Sequence, residues 1–138
     1  MTVVLHAETG TDSIESVVAG LIRAWNSRDA LAFAGYFAED GDLVNVHGMH
    51  LRGRQAIAAV YEMLFRSAFA TSTLAAVVSK ERSLRKGVAL AHVRFDLNVV
   101  GGPRAGLQHV LSSLVLMREA AHWQVLSLHN TVVTAPQR

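Results

Sequence analysis

The chain has 138 residues, 51% apolar and 17% charged, with a formal net charge of +2 and no cysteine. That length fits one domain, which buries about two-thirds of the surface its unfolded chain exposes and so carries a core of its own. Disulfides and thiol chemistry are excluded, and basic residues scattered singly or in short pairs, such as Arg52/Arg54 and Arg85/Lys86, argue against a nucleic-acid partner.

Met1 to Gly10 lacks a basic segment followed by an apolar one, and no apolar run reaches the roughly 20 residues of a membrane helix. The expectation is a cytoplasmic protein with no membrane partner. Residues 1–11 read as an N-terminal extension, 134–138 as a tail, and the whole chain 1–138 as a single domain.

Ile14, Val17, Val18, Leu21, Ile22 and Trp25 recur along one helical face, and Asp12 with Glu15 offers a start like a capping box. The period breaks at Asn26 to Asp29. Asp29 can cap a short second helix whose Phe33, Tyr36 and Phe37 fall at i, i+3 and i+4, so the first two helices form a hairpin. Glu39 to Asp42 has the composition of a turn, and Leu43 to His47 that of a short strand closed by Gly48.

After Arg52-Gly53-Arg54, Ile57, Val60, Tyr61, Leu64 and Phe65 form the stripe of a third helix. From Ser72 the pattern becomes that of strands: Thr73 to Leu84, Val88 to Val100, Leu107 to Arg118, and Trp123 to Val133. Hairpin-sized separators make these neighbours antiparallel. Such strands span roughly 35 to 40 Å at about 3.3 Å per residue, so the sheet must curl to stay on a small domain. The fold class is therefore α+β: three N-terminal helices on the concave face of a strongly curved, mainly antiparallel sheet, conical and barrel-like, enclosing a pocket.

Alternation on Val88 to Val100 puts Ala89, Ala91, Val93, Phe95 and Leu97 toward the helices and His92, Arg94, Asp96 and Asn98 away from them. Leu43, Asn45 and His47 share one face of their strand. If that face is inward, an amide and an imidazole enter the pocket and need hydrogen-bond partners from protein or ligand. The last strand carries Ser127, His129 and Thr131 on one face and Leu126, Leu128 and Asn130 on the other; the strand before it offers His109 and Ser113.

Histidine serves as acid or base near neutral pH, so His47 and His129 are candidate catalytic residues with Asn45 as a hydrogen-bond donor. Trp25, Tyr61, Phe65, His109 and Ser113 are candidate ligand-binding residues. Aromatic residues on helical stripes also serve as core, and Trp25, Tyr36, Tyr61, Phe65 and Phe69 can do both. No HExxH, GxSxG, GxGxxG or phosphate loop is present, so neither a metal nor a cofactor is expected.

The string AWNSRDALAFAGYFAEDGDLVNVHGMHLRGRQAI, Ala24 to Ile57, and the closing WQVLSLHNT, Trp123 to Thr131, resemble the nuclear-transport-factor-two-like superfamily of SnoaL-like cyclases and ketosteroid isomerases. Within it the chain looks most like the SgcJ/EcaC group, to which an oxidoreductase label is attached. The resemblance implies a conical α+β domain that forms a homodimer through its sheet. It places the isomerase's catalytic aspartate at Asn45, its tyrosine donor at about Leu21 and its protonated aspartate near Ser113, and the chain departs from the pattern at all three. An amide cannot take a proton from carbon as a carboxylate does. The function implied is a pocket for a small, largely apolar molecule, cyclase- or isomerase-like if catalytic; the alternatives are a non-catalytic binding or dimerisation module and the group's oxidoreductase label.

Overall fold

The computed structural model describes residues 11–134. Helix α1 spans Ile14–Asn26 and buries Val17, Val18, Leu21 and Trp25. Its cap is Ser13, one residue after the expected Asp12: the Ser13 hydroxyl accepts from the Ser16 amide at 3.0 Å, and Asp12 instead accepts from the Ser16 hydroxyl at 3.2 Å. Helix α2, Ala30–Gly35, starts as expected, with Asp29 Oδ1 accepting from the Ala32 amide at 3.0 Å. Helix α3 covers Arg54–Phe65 and buries Ile57, Tyr61 and Phe65.

Six strands follow the helices or intervene between them: β1 Phe37–Val44, β2 His50–Arg52, β3 Ser72–Arg85, β4 Val88–Val99, β5 Gly106–Glu119 and β6 His122–Val132. They form one sheet in the order β2-β1-β6-β5-β4-β3, antiparallel throughout except for the parallel pair β1 and β6. Both end strands lack a second neighbour, so the sheet is open, curled by irregularities in β1, β3 and the β5/β6 pairing, and it does not close into a barrel. The expected alternation on β4 is present: Ala89, Ala91, Val93, Phe95 and Leu97 are buried while Arg94 and Asn98 are exposed.

The start of the sheet differs from the sequence reading: Phe37 opens β1 rather than closing the second helix's stripe, and the strand ends at Val44 rather than His47. Residues Glu39 to Asp42, read as a turn, lie inside β1, and the short strand β2 was not anticipated. The reason is tertiary: Gly41 sits in the register shift between Phe37 and Asp42, and its carbonyl accepts from the Gly53 amide at 2.7 Å. A Cβ on Gly41 would lie 2.8 Å from the Val125 carbonyl oxygen and 3.0 Å from that of Ala38. Both obstacles are backbone and cannot step aside. Gly41→Ala is expected to destabilise the domain by about 1–3 kcal/mol, the usual penalty of overpacking, read as a lower urea midpoint at unchanged slope.

Candidate functional site

Between the helices and the inner face of the sheet lies a cavity of about 650 Å³. That volume lies in the ordinary range for a small-molecule site. Its walls come from every layer: Leu21 and Trp25 of α1, Tyr61 of α3, Leu43 of β1, and the inward-facing Phe95, Leu97, Val110 and Leu128 of the long strands. The floor is aromatic. Trp25 is 7% exposed, and its ring centroid lies 5.9, 5.7, 5.3 and 4.9 Å from those of Phe33, Tyr61, Phe65 and Phe69. These spacings suit edge-to-face and tilted aromatic packing.

The indole is oriented by a buried relay. Trp25 Nε1 donates to Ser72 Oγ at 2.9 Å, and Ser72 Oγ donates to the Phe69 carbonyl at 2.8 Å. Ser72 is fully buried, and the relay satisfies the indole N–H and the hydroxyl, which would otherwise be costly there.

Few polar groups reach the cavity. The Tyr61 side chain is 5% exposed, and its hydroxyl has no hydrogen-bond partner among the described residues. Burial pushes its phenol above the ordinary value, so it remains a neutral O–H donor. Asn45 stands in the loop after β1, where its Oδ1 accepts from the amides of His47 and Met49, both at 2.9 Å. The local turn has Gly48 at φ +84°, a conformation few other residues adopt. With the oxygen occupied, Nδ2 is the group Asn45 has left to offer. Asn130 lines the opposite wall and accepts from the buried Ser112 hydroxyl.

Of the residues named from sequence, Trp25, Asn45, His47 and Tyr61 line this cavity, and Phe65 packs behind Trp25 as core. His109, Ser113 and His129 do not. They lie on the other face of the sheet, where Ser113 and His129 face each other across β5 and β6 and His109 Nδ1 pairs with Asp96. Their inward neighbours Val110, Ser112, Leu114 and Leu128 are buried. Asn130 and the rim residue Arg104 were missed; Asn130 was recoverable, because it alternates in phase with Leu128.

On that outer face, Asp42 sits beside His50, with Asp42 Oδ2 and His50 Nε2 2.7 Å apart. Burial raises the Asp42 pKa, but hydrogen bonding from Ser127 and His50 and the charges of His50 and Arg52 outweigh it, so the carboxyl titrates below its ordinary value. Among the described residues no three His, Asp or Glu side chains converge as metal ligands, and no helix is long and apolar enough to cross a membrane.

A second hollow, of about 840 Å³, lies at the far end of the sheet, against Glu81, Arg82, Lys86 and Arg118. Its volume is larger, and Ile14, Ala89 and Trp123 share its lining with these charges, but it lacks the cluster of aromatic rings that floors the inner cavity. The inner cavity has an aromatic floor, with Tyr61 and Asn45 in its lining.

The model of the SnoaL-like domain matches residues 18–125. The chain belongs to this family. No curated protein matches it. Among solved structures, an uncharacterised Caulobacter vibrioides protein with a cystatin-like fold is 29% identical, covers 92% of both chains and superposes with a TM-score of 0.80. A ketosteroid isomerase-like protein from Erwinia carotovora is 16% identical over 88% of this chain and 95% of its own, at 0.73. An NTF-2 like protein of unknown function from Shewanella oneidensis is 18% identical over 86% and 95%, also at 0.73. These last two likenesses establish the shared fold of the SnoaL-like domain; chemistry has to be argued from the cavity.

Proposed function

We propose that this SnoaL-like domain binds a small, largely apolar molecule bearing a carbonyl or similar acceptor oxygen. The observation that carries the reading is the neutral Tyr61 hydroxyl, which no described residue hydrogen-bonds, at the wall of a 650 Å³ apolar cavity. A donor with no partner in the protein, set in an apolar wall, is free for a ligand oxygen that enters the cavity. Asn45, which also lines the cavity and whose Oδ1 is occupied, offers Nδ2 as a further donor. The test is titration with neutral aromatic ketones of one to three rings, such as 2-acetylnaphthalene. Trp25 emission is followed in a Trp123→Phe background, with quenching expected. A panel in which no ketone perturbs Trp25 sinks the reading.

A catalytic extension rests on His47, whose imidazole borders the same cavity. Cyclase- or isomerase-like chemistry then has His47 take a proton from the carbon beside the carbonyl while Tyr61 and Asn45 donate to the enolate oxygen, after which the proton returns to carbon. A plain binding module lacks that step. Exchange of the ketone's α-hydrogens in deuterium oxide, followed by NMR with and without His47→Ala, separates the two. Within the family we place the chain nearest the SgcJ/EcaC group, on the strings Ala24 to Ile57 and Trp123 to Thr131.

We further propose a homodimer through the outer sheet face. There Asp96 is already paired with His109 and lies 3.7 Å from Arg94, and Asp42 is paired with His50, so these two carboxylates have partners within one protomer. Leu111, 41% exposed, stands among these groups. Light scattering is expected to give a dimer mass for the native chain and a monomer mass for Leu111→Glu. A monomeric native chain overturns the proposal.

A further inference from the structure

Resting on the binding role just proposed, we infer that the cavity selects amphipathic carboxylic acids, with the apolar body inside and the carboxylate at the rim on Arg104. Sorting the lining residues by charge shows the asymmetry: among the described residues Arg104 is the cation, His47 and Tyr61 are the other ionisable groups, and no Asp or Glu borders the cavity. Arg104 is exposed and makes no hydrogen bond or ion pair among the described residues. An arginine free of internal partners keeps its fork available for a carboxylate, which it binds through two parallel hydrogen bonds.

The rim also holds Arg104 in place. In the β4–β5 connection the Ala105 amide donates to the Gly102 carbonyl at 3.2 Å, closing a four-residue turn with Pro103 and Arg104 at its centre. Proline fixes its own φ at the position such turns favour, so Arg104 leaves the loop from a defined point. The next residues, Ala105, Gly106 and Leu107, line the cavity mouth, so the guanidinium belongs to the entrance and the aromatic floor to the interior. A carboxylate buried against Trp25 would lose its water without compensation, whereas one at the rim keeps water on one side and gains a cation on the other. An ammonium head group gains nothing there.

The test uses a matched pair differing in charge: 4-(2-naphthyl)-4-oxobutanoate and its primary amide, titrated by calorimetry at low salt, with 2-acetylnaphthalene as the neutral reference. The native chain is expected to bind the acid about tenfold more tightly than the amide, the gain of one good charge-assisted contact. Added salt should narrow that gap. Arg104→Gln is expected to bring the ratio below about twofold while leaving the amide and the reference unchanged, and Arg104→Lys to restore part of it. Equal binding of acid and amide by the native chain overturns the inference but leaves the cavity reading intact. Equal loss of both ligands in Arg104→Gln also overturns it, because the residue would then act through loop shape. If none of the three compounds binds, the cavity reading itself fails.

Discussion

Replacing Trp25 by alanine is expected to cost about 3–5 kcal/mol, the range seen when a large buried aromatic side chain is deleted. Four aromatic rings lean on the indole, at centroid distances of 4.9 to 5.9 Å, and it joins α1 to β3 through Ser72. Deletion would merge the vacated volume with the neighbouring cavity, and Phe33, Tyr61, Phe65 and Phe69 would lose the surface they share. A domain of this size is stable by roughly 5–15 kcal/mol, so the loss is a large fraction of the total. Trp25→Phe keeps most of the packing and removes the N–H donor, so about 1 kcal/mol is expected for it. Urea denaturation followed by circular dichroism measures both. A loss under 1 kcal/mol for the alanine variant would show that the ring fills a space the core does not need.

The stabilising role of Trp25 was legible in the sequence because a helix announces its buried face by period. Val17, Leu21 and Trp25 recur at helical spacing, and Tyr61 and Phe65 do so on α3. The alternation of β4 was equally readable, since one of its faces is almost wholly apolar. β5 and β6 were harder. Val110, Leu111, Leu114, Val115 and Leu116 put apolar residues on both faces of β5, so periodicity does not say whether His109 and Ser113 turn inward. Their placement was decided by pairing with β4, where Asp96 lies opposite His109.

The first strand shows the other way sequence information runs short. Glu39-Asp40-Gly41-Asp42 has turn composition, yet it becomes a strand because β2 and β6 supply partners on both sides and Gly41 absorbs the irregularity. Arg104 carried no local signal at all: a loop has no period, and its nearness to the cavity follows from how the β4–β5 connection lies over the mouth. Asn45 was found for one role and turned out to have two. Its oxygen shapes the loop that carries His47 and Met49, and only its amide nitrogen is left for a ligand.

Tyr61→Phe is expected to leave stability nearly unchanged and to weaken binding. In the empty protein no described residue hydrogen-bonds the hydroxyl, so removing it breaks no internal hydrogen bond. Phenylalanine keeps the ring that packs 5.7 Å from Trp25 and 4.7 Å from Phe33 and removes only the oxygen. The variant should therefore be about as stable as the native chain by urea denaturation. Binding of 2-acetylnaphthalene should weaken about tenfold, the loss of one buried hydrogen bond. Naphthalene, which has no acceptor, should bind both chains alike. Destabilisation by more than about 1 kcal/mol would mean that the hydroxyl has an internal partner in solution, and unchanged ketone affinity would mean that no ligand oxygen reaches it. A residue kept for packing alone does not predict a selective loss of ketone affinity at unchanged stability, so the pair of measurements separates a structural tyrosine from one held ready for a ligand.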